Sequence, residues 1–160
     1  HLFNAMRGFT HREPGAAGAV LMHPEISTEI IADGVHVHPD VVKFLTRIKP
    51  IENIVLVTDA LRPTAQAKPP FLANGEEVVF DGGVWKRKSD GVIAGSGLTL
   101  LQAVQNMVRW GLPLPQAVAC ASFNPARRLG LDDRGEIALG KRADLVVFNQ
   151  EFQVPKTFLA

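Results

Sequence analysis

The segment "NIVLVTDA" (53–60) determines the class of fold predicted for this chain. Its apolar run is continuous and bounded by polar residues, which is typical of a parallel β-strand buried on both faces. Asp59 follows at the carboxyl end of that strand, the edge at which α/β barrels and open α/β sheets place their active sites. Asp59 is therefore a candidate general base or metal ligand. The alternative is an aspartate that caps the next loop or helix.

The segments before this strand predict alternating strands and helices, the pattern of a parallel sheet covered by helices. "GAVLM" (18–22) predicts a short strand, and "EIIADGVHV" (29–37) predicts a longer one. "HPDVVKFLTRI" (38–48) has its apolar residues at the spacing of one helical face. The predicted fold class is α/β.

The segments after the strand predict a proline-rich loop, a hairpin, helices and finally more sheet. The hairpin is "EEVVFDGGVWKR" (76–87), which turns at its glycine pair. "SGLTLLQAVQNMVRWG" (96–111) predicts a helix that Ser96 caps and Gly111 ends. A second helix is predicted over 113–122, "NPARRLGL" (124–131) begins a third, and "GEIALGKRADLVVFN" (135–149) predicts strands.

The composition argues against several classes of partner. The 160 residues include 17 Lys and Arg against 16 Asp and Glu, a net charge of +1, so nucleic acid or an anionic membrane is a poor default partner. The single cysteine, Cys120, lies in apolar "AVACAS" and predicts a buried, inert thiol in a reducing compartment. No apolar run reaches the length of a membrane span, and no signal-peptide pattern is present. We therefore expect a soluble cytoplasmic protein.

Two histidines near the end of the predicted strand 29–37 are candidates for ligand binding. On an extended strand His36 and His38 point the same way, although alternating His and Val also suits a half-exposed strand. His36 is favoured because it lies nearer the strand end. Asp33 supplies a polar turn nearby, and Gly34 lets a ligand or another backbone approach closely.

Two further segments offer polar groups. "HLFNAM" (1–6) contains His1, the amide of Asn4 and the unshielded backbone N–H of Ala5, and it is followed by Arg12, whose guanidinium suits a phosphate or carboxylate. The alternative is a solvated arginine and a histidine without a role. "GVIAGSGLTLL" (91–101) places small residues before a helix, where backbone donors face an anion or a sugar hydroxyl, or where they form only a helix cap.

Taken in order, these segments resemble the N-acetylglucosamine-6-phosphate deacetylases of the amidohydrolase superfamily. The specific matches are "HLFNAM", "REPG" (12–15), "IADGVHVHP" (31–39), "LVTDA" (56–60) and "IAGSGLTL" (93–100), and the weaker ones are 124–131 and 135–149. The resemblance implies the C-terminal portion of a (β/α)8 TIM-type barrel over 1–128, with a hairpin insertion near 74–92. It implies C-terminal strands of a small β-sandwich domain over 129–160.

The resemblance also implies a reaction and a site. Water activated by a divalent metal, Zn²⁺ or Fe²⁺, attacks the acetamide of the amino sugar phosphate, and Asp59 passes the proton to the leaving amine. His1 falls on a metal ligand, and a homodimer shares the site between subunits. The implied substrate-binding residues are Asn4, Ala5 and Arg12 at the phosphate, Asp33, Gly34 and His36, and the loop Ile93, Ala94, Gly95 and Ser96 over the sugar.

One departure from the family qualifies these expectations. The family's metal site also uses a glutamate and a second histidine from earlier strands, and one ligand cannot hold zinc in an open three-ligand site. We therefore expect the 160 residues to be the C-terminal part of the enzyme, inactive and poorly folded in isolation because barrel-strand edges would be exposed. One alternative is a non-catalytic sugar-phosphate-binding module. The other is an amidohydrolase for another N-acyl substrate, and a phosphate-binding arginine disfavours this second alternative.

Overall fold

Two parallel strands form the centre of the structure, a computed structural model that describes residues 1–65 and 69–160. The first strand pairs with the second in the register Thr28↔Ile54 to Ile31↔Val57. Their branched apolar side chains are buried on both faces, as the sequence predicts for 53–60. The helices are α1 (Gly15–Met22), α2 (Pro39–Ile48), α3 (Leu100–Arg109), α4 (Leu114–Ala121) and α5 (Phe123–Arg128), and the strands are β1 (Thr28–Ile31), β2 (Ile54–Val57), β3 (Leu72–Ala73), β4 (Glu76–Asp81), β5 (Val84–Arg87), β6 (Ile93–Ser96), β7 (Leu145–Val147) and β8 (Lys156–Phe158).

Helix α1 contradicts the predicted strand at 18–22. The segment "GAAGAVLM" is helical throughout and buries Ala17 and Gly18. A short apolar run does not by itself distinguish a strand from a helix, and here Gly18 lets the helix approach Phe9 so closely that a Cβ would lie 2.9 Å from its ring. The buried ammonium of Lys49 then ties α1 to the end of α2 by donating to the carbonyls of Val20 and His23.

Helix α2 agrees with its prediction. His38 is its N-cap, and the imidazole Nδ1 accepts a hydrogen bond from the N–H of Asp40 at 3.2 Å. Pro39 occupies the first turn, where its missing N–H costs nothing. Val42 and Leu45 are buried against the core. The helix therefore carries the chain from β1 to the start of β2.

The predicted hairpin is confirmed as β4 and β5, which lie within a four-stranded antiparallel sheet of order β3-β4-β5-β6. Gly82 and Gly83 both have positive φ, as a tight two-residue turn requires. Trp85 lies between the rings of Phe71 and Phe80, with centroids 5.0 and 5.1 Å away. The proline-rich loop predicted from 61 onward contains a 3-10 helix at Arg62–Ala65, and its residues 66–68 lie outside the described residues.

Helices α3, α4 and α5 pack against β2 and complete the core. Thr99 and Gln102 form a capping box at the start of α3, so the prediction that Ser96 caps this helix is wrong. Asn124 on α5 is 2% exposed and donates to the carbonyls of Ile51 and Ile54, both at 2.8 Å, which fixes α5 at the start of β2.

The C-terminal segment contains less sheet than predicted. Of residues 135–149 only Leu145–Val147 form a strand, which pairs antiparallel with Lys156–Phe158. Several large apolar side chains here, including Ile137, Leu139 and Leu159, are almost fully exposed. Across residues 1–65 and 69–160, no helix has the length and apolarity needed to span a bilayer.

Candidate active site

Asp33 and His36 form a buried pair at the carboxyl end of β1. The strand ends at Ile31, so the prediction of a strand through 37, with His36 and His38 pointing the same way, is wrong. Asp33 Oδ1 accepts hydrogen bonds from the N–H groups of Val35 and His36 at 2.9 and 2.8 Å, which closes a turn. Gly34 makes this turn possible because its φ is +80°. His36 consequently points inward, while His38 caps α2.

The same carboxylate orients the imidazole of His36. Asp33 Oδ2 lies 2.5 Å from His36 Nδ1, and the two side chains are only 5% and 3% exposed. Burial raises the pKa of Asp33. Hydrogen bonds from the His36 ring and from two backbone N–H groups, together with attraction to the imidazole, outweigh burial and leave the pKa of Asp33 below its ordinary value. The carboxylate holds the proton on Nδ1, and Nε2 is buried without a hydrogen-bond partner among the described residues.

Two side chains from the α3 region support this turn, and the sequence did not identify them. Asn106 Nδ2 donates to the carbonyl of Ala32 at 2.9 Å. Trp110, the residue after α3, lies over Gly34, where an added Cβ would be 3.4 Å from its ring. Asn106 and Trp110 are four residues apart on one helical face, so the spacing was visible, but it gives no hint of a contact some 70 residues away along the chain.

Asp59 lies at the carboxyl end of β2, as predicted. Its φ is +48°, a left-handed conformation that aspartate adopts more readily than most residues. Its carboxylate makes no hydrogen bond or ion pair with any residue in the described ranges. Because Ile31 pairs with Val57 in parallel register, the turn at Asp33 and the carboxylate of Asp59 follow neighbouring strands at one edge.

The segment predicted as a loop over the sugar is strand β6 instead. Ile93–Ser96 pair with β5, and Ser96 also forms a parallel bridge with Ala60. Ile93 is exposed and Ala94 half-buried, whereas Gly95 and Ser96 are buried. A Cβ on Gly95 would lie 2.8 Å from the carbonyl oxygen of Asp59, so only glycine fits beside this carbonyl.

The N-terminal segment reaches the same sheet. The N–H of Leu2 donates to the carbonyl of Glu29 on β1 at 2.8 Å. The chain then turns, with the N–H of Asn4 donating to the carbonyl of His1 and with a φ of +54° at Ala5. His1 is therefore placed beside β1.

Arg12 is separate from this arrangement. Its side chain is exposed and has no hydrogen-bond or ion-pair partner among residues 1–65 and 69–160. An unpaired guanidinium is free to bind an anion, including one held by another molecule.

The described residues do not make a metal centre on their own. Within the described ranges, no three His, Cys, Asp or Glu side chains are grouped closely enough to hold an ion. His1 is the one predicted metal ligand, and a catalytic zinc site takes three protein ligands.

The described arrangement is an α/β sheet edge with a free carboxylate and an oriented histidine, and comparison with known proteins shows the family to which the chain belongs. The amidohydrolase family model matches residues 1–160, and the chain belongs to that family. Amidohydrolases generally use a divalent metal ion.

Individual relatives are more specific. An N-acetylglucosamine-6-phosphate deacetylase of Vibrio furnissii is 39% identical over 161 residues, covering 99% of this chain and 40% of the relative. A putative N-acetylgalactosamine-6-phosphate deacetylase of Escherichia coli K12 is also 39% identical, covering 99% of this chain and 95% of that shorter relative. The crystal structure of the N-acetylglucosamine-6-phosphate deacetylase of Thermotoga maritima superposes with a TM-score of 0.91 at 36% identity, covering 99% of this chain and 44% of that one. The chain thus spans about 40% of the length of the Vibrio relative.

Proposed function

We propose that this chain supplies the substrate-binding and proton-transferring part of an N-acetylglucosamine-6-phosphate deacetylase. The observation that carries the proposal is that the free carboxylate of Asp59 and the buried Asp33–His36 pair follow the carboxyl ends of two neighbouring parallel strands. The similarity to sugar-phosphate deacetylases over 99% of the chain supports it.

The reaction hydrolyses an acetamide, and Asp59 has the role of proton shuttle in it. The oxygen of water bonds to the acetamide carbonyl carbon, and Asp59 accepts the proton that the water loses. The C–N bond breaks as Asp59 returns this proton to the nitrogen. The products are glucosamine-6-phosphate and acetate.

The remaining residues bind the substrate. His36 Nε2 is the polar atom offered to the acetamide, because Nδ1 is committed to Asp33. Arg12, Asn4 and Ala5 are assigned to the phosphate, and Gly34 and Ile93–Gly95 to the sugar. A bound metal lowers the pKa of the attacking water. We propose Zn²⁺, with Fe²⁺ as the alternative and His1 as the ligand that this chain contributes.

The architecture of the proposed enzyme follows the resemblance. Strands β1 and β2 belong to a (β/α)8 barrel over 1–128 with the hairpin near 74–92 as an insertion, and 129–160 to a β-sandwich. A homodimer in which Arg12 serves the partner's site is consistent with the exposure of that side chain. The cytoplasmic location stays a prediction.

A chimera tests the activity. Residues 1–160 replace the aligned segment of the Vibrio furnissii relative, and release of acetate from N-acetylglucosamine-6-phosphate is measured. We expect turnover by the chimera and none by the chain of residues 1–160 alone. Asp59→Asn should abolish turnover while retaining ligand, whereas the exposed control Asp40→Asn should not affect it. An inactive chimera that folds and holds its metal, or an active Asp59→Asn chimera, would contradict the proposal.

The scarcity of metal donors among the described residues favours one second candidate, a non-catalytic sugar-phosphate-binding module. Calorimetric titration of N-acetylglucosamine-6-phosphate into the chain of residues 1–160 measures binding, and binding together with an inactive chimera would support the module. The same chimera should be offered N-acetylgalactosamine-6-phosphate, because the Escherichia coli relative carries that name. Equal turnover of unphosphorylated N-acetylglucosamine would favour an amidohydrolase for another N-acyl substrate.

A further inference from the structure

Ser96 lies where the sequence predicts a sugar-covering loop, yet the residue is 0% exposed. Its hydroxyl donates to the carbonyl of Thr58 and accepts from the N–H of Leu98 at 3.1 Å. The single proton of the hydroxyl is therefore used within the fold, and its oxygen is buried out of reach of a ligand.

The backbone of Ser96 forms hydrogen bonds with Asp59 itself and with Leu61, two residues further along the chain. Its N–H donates to the carbonyl of Asp59 at 2.9 Å, and its carbonyl accepts from the N–H of Leu61 at 3.3 Å. With the hydroxyl bond to Thr58, three hydrogen bonds join one residue of β6 to the residues around Asp59. The Asp59 side chain, by contrast, has no partner of its own in the described ranges.

Two features connect these hydrogen bonds to the backbone conformation of Asp59. A φ of +48° costs energy for a non-glycine residue, so the surrounding structure must hold it. Gly95 permits the close approach, since a Cβ there would also lie 2.7 Å from Leu61 Cγ. β6 is in turn held by its pairing with β5.

We infer that Ser96 is a positioning residue, which fixes the backbone of Asp59 so that its carboxylate is aimed at the substrate, and that it does not bind the sugar. The inference rests on the proposed function for the role of the carboxylate. The part about backbone geometry stands on the hydrogen bonds alone.

Hydrogen exchange measured by mass spectrometry tests the geometry without any activity. In Ser96→Ala the amides of residues 96 and 61 keep their acceptors, so they exchange faster only if the attachment loosens. We expect about fivefold faster exchange, the effect of losing one hydrogen bond. The control Ser122→Ala removes a hydroxyl that donates to the carbonyl of Gly135 at 3.0 Å, and it should leave these two amides unchanged.

The chimera described above tests the catalytic consequence. Displacement of Asp59 should lower kcat by about 10–100-fold, with KM within about twofold because substrate contacts remain. A Ser96 that bound sugar would instead raise KM. If Ser96→Ala does not fold, Ser96→Cys replaces it, since the thiol has a similar shape and is only a weak donor.

The outcomes separate the two proposals. Equal exchange and equal kcat for the Ser96 and Ser122 variants would overturn the inference, as would a change in KM alone. An inactive parent chimera would count against the proposed function, and the exchange experiment on residues 1–160 or on the folded chimera would still decide the role of Ser96.

Discussion

Replacing Asp33 with asparagine should destabilise the fold through one particular contact. The asparagine side chain would keep an oxygen for the N–H groups of Val35 and His36, but it would present an amide N–H to the protonated Nδ1 of His36. The variant therefore loses one hydrogen bond to a buried charged group, which is worth about 1.5–3 kcal/mol.

This loss corresponds to a lower melting temperature by about 3–12 °C for a chain of this size. Thermal unfolding of the chain of residues 1–160, followed by tryptophan fluorescence, measures it, and Trp110 reports locally because it lies over Gly34. The matched control is Asp40→Asn, whose carboxylate is exposed beside Lys43 and should matter less. If residues 1–160 alone do not unfold cooperatively, the two variants are compared in the chimera.

A melting temperature for Asp33→Asn equal to that of the control would refute this account of the pair. A second readout is the tautomer of His36 by ¹⁵N NMR. The parent should show a protonated Nδ1, and Asp33→Asn should no longer hold the proton on that nitrogen, because an amide N–H cannot accept it. An unchanged tautomer would mean that Asp33 does not orient the ring.

Three other predictions concern pH, the thiol and the core. Because the pKa of Asp33 in the folded state is lowered from its ordinary value of 3.8, the carboxylate should stabilise the fold fully above pH 3.8 and cease to do so as the pH falls through the folded pKa. The free energies of unfolding of the parent and of Asp33→Asn should therefore converge at low pH. A difference that stays constant with pH would contradict this. Burial raises the pKa of Cys120 to about 12, so iodoacetamide at a mildly alkaline pH should label it only after denaturation, and rapid labelling of the folded chain would be inconsistent with its burial. Asn124→Ala removes the buried amide that donates to the carbonyls of Ile51 and Ile54, although Ile51 keeps the N–H of Ile54 as a donor. The variant should cost about 1–3 kcal/mol in urea unfolding, and a cost no larger than that of the exposed control Asn149→Ala would argue against this.

The sequence predicts best where a strong apolar pattern decides the structure. β2 follows from its continuous apolar run, and α2 follows from the spacing that buries Val42 and Leu45. The segment of α1 predicts a strand because a short apolar run does not distinguish the two periodicities. Within the observed helix Gly18 packs closely against Phe9, a contact that the pattern does not contain.

For the candidate site, residue types were easier to predict than orientations. The Asp-Gly pair at 33–34 is a turn signal, and in the structure it outweighs the alternation of His and Val that predicts a strand through residue 37. The Thr-x-x-Gln pattern at 99–102 is likewise a capping box that displaces Ser96 from the helix. The contacts of Ser96 with Thr58 and of Asn106 with Ala32 join residues 38 and 74 positions apart, and no local pattern encodes them.

The left-handed backbone at Asp59 determines which variants at this position can be interpreted. Most residues would incur a conformational cost of about 1–2 kcal/mol there, whereas asparagine tolerates it nearly as well as aspartate. Loss of function in Asp59→Ala would therefore combine two effects, the missing carboxylate and a change in backbone conformation. Asp59→Asn removes the carboxylate without changing the backbone, so it separates the two effects. Two requirements should restrict the residue at this position: turnover requires a carboxylate, and the left-handed backbone requires a residue that tolerates positive φ. A related sequence with asparagine here should therefore belong to a protein that has lost turnover but kept its fold.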